Sequence, residues 1–137
     1  MRRLLFAAAL LPYLGYALPA WADDASDAQA VISAQLGALR ASDAAGAYGF
    51  AAPNIQRIFP SADIFMTMVQ RGYPAVADAR NVAFGPSKPE GVGLRQEVFL
   101  SDPQGQSWIA TYTLERQPDG SMKITGCQMR KGTDIGA

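Results

Sequence analysis

Apolar residues recur at two spacings along the chain. Up to about Gly72 they fall at helical intervals, and from about Asn81 they alternate with polar residues. In the first part Ala28, Val31, Ile32, Gln35, Leu36 and Leu39 share one helix face, which the capping-box pattern Ser26-Asp-Ala-Gln29 opens and Arg40 closes. Asp43 predicts the cap of a shorter helix over residues 44–51, with Tyr48 and Phe50 as its bulk. Pro53 and Pro60 bound an expected linking turn over residues 54–59, because the residue before each proline is pushed out of the helical region. Ser61 then caps a third helix that Gly72 ends, with Ile64, Phe65, Met68 and Val69 as one apolar stripe.

The second part reads as strands. Val82 and Phe84 alternate, a Gly/Pro loop is expected over residues 85–93, and Gln96, Val98 and Leu100 then alternate against Glu97 and Phe99. Asp102-Pro-Gln-Gly105 and Gln117-Pro-Asp-Gly120 carry turn residues at the positions where turns need them. Between them Trp108, Ala110, Tyr112 and Leu114 take one face, and Ile109, Thr111, Thr113 and Glu115 the other. After Met122 and Ile124, Gly126 marks a bulge that re-aims Cys127 and Met129. Helices before strands predict an α+β fold: three N-terminal helices packed on a curved antiparallel sheet of about four strands.

Before this pattern begins, the chain reads Met-Arg-Arg, an apolar run from Leu4 to Leu18, and Pro19-Ala-Trp-Ala22 followed by two aspartates. That order of charge, apolar core and small residues predicts a secretory signal over residues 1–22 and a periplasmic protein. The expected domain spans residues 23–131, with a frayed tail over 132–137. Losing Arg2 and Arg3 leaves ten basic residues against twelve acids, a formal charge of −2. No basic run offers nucleic acid or an anionic membrane a footprint, and no membrane insertion is expected after cleavage. Cys127 is the only cysteine, so stability has to come from packing rather than from an internal disulfide.

The run from Phe50 to Ser61, with Phe65, Met68-Val69, Tyr73-Pro74, Trp108 to Leu114 and Ile124-Thr-Gly-Cys127, resembles the exported bacterial family catalogued as domain of unknown function 4864. The resemblance covers residues 28 to 129 and implies no activity. More distantly, the outline of helices across a curved sheet resembles the cone-shaped superfamily of nuclear transport factor two, ketosteroid isomerases and polyketide cyclases. That likeness implies an acid as base and a tyrosine as donor inside an apolar pocket. Asp43, Asp63 and Asp78 are the candidate bases here, with Tyr48, Tyr73 and Tyr112 as donors.

The chain has no histidine, and its carboxylates are scattered singly. A catalytic triad in its common form, a zinc site and a calcium loop therefore all lack their residues, and no metal or other cofactor is expected. Two kinds of binding remain. The inner sheet face with Trp108, Tyr112 and Met122, roofed by Tyr48, Phe50, Phe65 and Met68, encloses either a packed core or a pocket for a small apolar molecule. Polar contacts there fall to Asn54, Gln56, Arg57 and Tyr73, so the candidate ligand-binding set is Tyr48, Asn54, Gln56, Arg57, Tyr73, Trp108 and Tyr112. Alternatively, the weakly polar outer face with Phe99, Ile109, Thr111 and Thr113 docks an envelope protein or a second copy of the chain as a homodimer.

Overall fold

A computed structural model describes Gly15 and residues 20–132. Five helical elements come first: α1 (Ala20–Arg40), α2 (Ala44–Gly49), α3 (Pro53–Ile58), α4 (Ala62–Gly72) and α5 (Pro74–Ala77). Four strands follow: β1 (Arg80–Glu90), β2 (Gly93–Ser101), β3 (Ser107–Arg116) and β4 (Met122–Lys131). The strands form one curved antiparallel meander in the order β1-β2-β3-β4, and the helices pack on its inner face. The fold is thus α+β as the periodicity predicts, with two short helices added to the three expected. Most of the expected signal segment and residues 133–137 lie outside the described residues.

The α1 face that points at the sheet carries Ala28, Ile32, Leu36 and Leu39, all buried. The helix starts earlier than its capping-box pattern predicts, so Ser26 lies inside it and exposed. Two causes favour the extra turns. Alanine, the best helix former, recurs at positions 20, 22 and 25, and Arg116 of β3 holds Asp24 at 2.6 Å and Asp27 at 2.7 Å. At its other end the Ser42 N–H donates to the Leu39 carbonyl and the Asp43 N–H to that of Ala38, with Ser42 in the left-handed region at φ 56°. This is a Schellman closure with serine where glycine is preferred. Asp43 then caps α2, its carboxylate accepting the Gly46 N–H at 3.0 Å.

Residues 54–58 are helical rather than the expected turn, and Phe59 closes the helix. Pro53 sits in the first turn of α3, where its fixed φ suits the helix and its missing N–H has no intrahelical partner to lose. The pre-proline restriction falls on Ala52, which is extended at φ −70°, ψ 163°. Pro74 opens α5 in the same way. Ser61 caps α4 as predicted, accepting the Ile64 N–H at 3.1 Å. The buried arc of α4 is centred on Phe65, Met66 and Val69, which leaves Ile64 exposed, one residue step (about 100°) outside it.

The expected Gly/Pro loop after Phe84 is strand as far as Glu90. β1 is an edge strand, so Pro86 and Pro89 sit where a missing N–H breaks no central ladder. Two register shifts bend it, one between Arg80 and Ala83, the other between Phe84 and Ser87. Fully buried Gln96 fills the second. Its amide donates to the Gly85 carbonyl at 2.9 Å and accepts from Gln29 of α1 at 3.2 Å, so a buried polar group has partners on both sides. Glycine at 85 makes room for the Phe99 ring, which a Cβ there would meet at 2.6 Å and have to displace.

Leu94, Gln96, Val98 and Leu100 of β2 are buried, as are Ala110, Tyr112 and Leu114 of β3. Trp108 is only half-buried, its indole donating to Asp102 at 3.0 Å beside the first turn. On the outer face Ile109 is buried between its cross-strand neighbours Phe99 and Arg130. Arg130 also reaches Glu97 at 3.1 Å, so this face is more polar than its sequence suggests. Both predicted turns close, Gly105 onto Asp102 and Gly120 onto Gln117, each at 2.9 Å. Ladder pairing continues past the expected frayed point to the Gly132 N–H, which donates to Ser107.

Replacing Ser42 by glycine removes the cost of the left-handed conformation, of order 1–2 kcal/mol, against a smaller entropic loss. Ser42→Gly is therefore expected to stabilise by about 0.5–1 kcal/mol, measured as a higher urea midpoint at unchanged slope.

Candidate functional site

The chain between α2 and α3 is stitched to β4. The Ile124 N–H donates to Phe50 and the Ala52 N–H to Ile124, at 2.9 and 2.8 Å, so Ala51 pairs with Ile124 as a one-residue parallel bridge. Two side chains extend the seam. Lys123 Nζ donates to the Gly49 carbonyl at 2.5 Å, and Asn54 Nδ2 to that of Thr125 at 3.0 Å. Immediately beyond, β4 bulges: Thr113 pairs with Gly126 but Leu114 with Ile124, leaving Thr125 as the extra residue. The bulge reverses the alternation, so Met122 and Ile124 face inward before it and Cys127 and Met129 pack on the core after it.

Between α1, α3, α4, α5 and the bulge lies a cavity of about 210 Å³. Its floor is buried: Leu39, Ala51, Phe65, Val69, Val76 and Ile124. Its rim is half-exposed: Ile55, Phe59, Met68 and Tyr73. The polar groups in the wall are few. Gln35 donates to the Ala47 carbonyl at 3.2 Å. Tyr112 is only 1% exposed, and its hydroxyl meets the thiol of its cross-strand neighbour Cys127 rather than a nitrogen or oxygen partner. Burial, then the neighbouring Cys127, pushes the Tyr112 phenol well above its ordinary range. Burial likewise pushes the Cys127 thiol from 9.0 up to about 12, with the tyrosine opposing it. Both groups are thus neutral at physiological pH.

Of the seven candidate ligand-binding residues, the structure brings Tyr73 and Tyr112 to this cavity. Tyr48, Asn54 and Gln56 work on backbone instead. Tyr48 Oη donates to the Phe59 carbonyl at 2.7 Å and Gln56 Nε2 to that of Tyr48 at 3.1 Å, which clasps α2 to α3. Arg57 is exposed in a shallow surface depression with Asn54 and Glu115, and Trp108 stands at the Asp102 turn. Gln35, Ile55, Phe59 and Cys127 also line the cavity and are absent from the predicted site. The one signal for Cys127 is Gly126, whose bulge turns it inward.

The candidate acids are not brought together with the tyrosines. Asp43 caps α2, exposed Asp63 sits in the first turn of α4, and Asp78 pairs with Arg80 at 3.1 Å. No carboxylate lines the cavity among the described residues, and none of their acids and Cys127 cluster as a metal site. The model for the domain of unknown function DUF4864 matches residues 21–136.

The chain belongs to the DUF4864 family.

No curated protein and no solved structure matches it. The architecture of this DUF4864 protein, helices on one face of an open curved sheet, agrees with the outline expected from the sequence.

The raised thiol and phenol have a stability consequence. An acid whose folded pKa lies above its unfolded value contributes fully below the unfolded value, and that contribution is lost as pH rises. For Cys127 the loss runs from about 9 to about 12. Urea stability is expected to fall progressively above pH 9, and Cys127→Ala to flatten the fall. At pH 8 iodoacetamide is expected to alkylate Cys127 only as fast as the protein opens, with mass spectrometry along a urea series following the unfolding curve.

Proposed function

We propose that this DUF4864 protein is an exported, non-catalytic binding protein whose cavity takes a small, predominantly apolar molecule. The observation that carries the reading is the cavity itself, about 210 Å³ with aliphatic and aromatic walls, in a domain with no disulfide to offset the packing it forgoes. An engineered apolar cavity of ~150 Å³ holds benzene, so this one suits a ring with a short substituent. The aromatic side chains of the cavity wall are themselves well packed: Phe65 meets Tyr48 at 5.7 Å and Phe59 at 6.4 Å between ring centres. Space left beside packed aromatics is more economically read as a pocket than as a packing fault. A homodimer through the outer sheet face finds less support, because Arg130 and Glu97 pair across it.

Export rests on the leader-like residues 1–22. Cleavage after Ala22 leaves Asp23 first and keeps Asp24 and Asp27 with Arg116. Protein recovered from a periplasmic fraction is expected to have the mass of residues 23–137, and full-length protein confined to the cytoplasm would remove the export half of the proposal.

For the cavity, toluene at one hundred times its Kd is expected to add about 2.7 kcal/mol of stability. It should also shift the methyl resonances of Val69, Val76 and Ile124. If neither toluene, benzene nor cyclohexane perturbs those methyls near its solubility limit, the cavity is closed to ligands and the reading fails.

A further inference from the structure

A pocket for a predominantly apolar molecule leaves open which way that molecule lies in it, and the change in polarity from floor to mouth decides. The floor residues Leu39, Phe65, Val69, Val76 and Ile124 are buried, and no charged side chain lines the cavity. The polar side chains deep in the wall are already engaged: Gln35 donates to the Ala47 carbonyl, and Tyr112 lies against the Cys127 thiol. A charged group carried to the floor loses its hydration without gaining a counter-ion. The rim differs. Ile55, Phe59, Met68 and Tyr73 are half-exposed, so a group held among them keeps its contact with water. A molecule with a hydrocarbon end and a charged end therefore has one favourable orientation, tail inward and head at the mouth.

The sign of that charge follows from the elements around the mouth. The rim belongs to α3, α4 and their capping residues, and these helices carry three charged side chains, Arg57, Asp63 and Arg71. Arg57 lies about 160° round α3 from Ile55 and shares a separate surface depression with Glu115. Asp63 lies about 140° round α4 from Met68. Arg71 alone is on the rim side: it follows Met68 by three residues, a spacing that makes helix side chains neighbours. It is exposed and forms no ion pair among the described residues. A guanidinium on a long stem can hold both oxygens of a carboxylate at the edge of a pocket. We propose that the cavity binds aliphatic monocarboxylates, with the tail against Val69 and Ile124 and the carboxylate at the mouth paired with Arg71. This rests on the cavity being a ligand pocket and adds the orientation and charge of what it takes. An engineered apolar cavity of ~150 Å³ holds the six carbons of benzene, so the 210 Å³ here suits a tail of about six to eight carbons.

Octanoate, octylammonium, 1-octanol and toluene separate the outcomes, since the first three share a tail and differ in the charge of the head. Octanoate is expected to bind most tightly of the three at low salt. Arg71→Gln is expected to weaken octanoate about fivefold, the scale of a solvent-exposed ion pair, and to leave 1-octanol and toluene unchanged. Arg71→Lys, which keeps the charge, should restore most of the loss. Arg71 is exposed, so both variants are expected to melt close to the wild type. In the wild type alone, the terminal methyl of octanoate should show NOEs to the methyls of Val69, Val76 and Ile124, and its C2 protons to the Met68 methyl. The reverse pattern overturns the orientation and the proposal with it. If octanoate binds no better than octylammonium, or Arg71→Gln leaves its Kd unchanged, the assigned pairing fails. If toluene binds and octanoate does not, the pocket stands and its ligand class is wrong. If none of the four binds, the pocket itself is lost.

Discussion

One bridged residue, Ala51 against Ile124, governs the arrangement of the helical layer. The chain leaving α2 has two orphan groups to satisfy, the Phe50 carbonyl and the Ala52 N–H, and both go to the backbone of Ile124. Because each buried backbone group needs a partner, the path of the chain is determined there to within a hydrogen bond. Ala52 must be extended to reach Ile124, and the proline after it demands the same conformation. Pro53 can then start α3 only in the direction the seam allows. On the other side, the bulge at Thr125 follows directly after the bridged residue and turns Cys127 inward. The roof and the floor of the cavity therefore share a single anchoring point.

What was legible in the sequence depended on how local the determining force is. Asp43 and Ser61 cap their helices because a side-chain oxygen needs only an N–H three residues on. The turns at 102–105 and 117–120 are equally self-contained, and alternation along β2 follows from burial of one sheet face. Where the deciding partner is distant, local reading fails. The first turns of α1 depend on Arg116, some ninety residues away. The strand character of residues 85–90 depends on β1 lying at an edge, which composition rich in glycine and proline does not reveal. Prolines mark boundaries, yet they do not say on which side the helix lies; in residues 53–59 it lies after the first one.

The candidate site shows the same division at the level of side chains. Aromatic residues and methionines drew notice as ligand contacts, and most of them pack on each other or on the core. The polar residues among them, Asn54 and Gln56 of α3, satisfy main-chain carbonyls, as most hydrogen-bonding side chains do. Tyr112 was visible as an inward residue of β3. That its hydroxyl meets only the Cys127 thiol is a property of its β4 neighbour, and no pattern in one strand encodes it.

The two margins of the sheet are closed to extension in different ways. Pro86, Pro89 and two bulges interrupt β1, while the chain at Ala51 occupies the start of β4, whose far end carries Arg130 and Lys131. A neighbouring molecule cannot continue the hydrogen-bond ladder along either margin without meeting a missing donor, an occupied acceptor or a pair of positive charges. Fibre formation by edge pairing at high local concentration is thereby resisted by geometry and charge together. Contacts made by side chains, through a face or the mouth of the cavity, are thereby favoured over edge pairing, and such contacts are addressable by single substitutions.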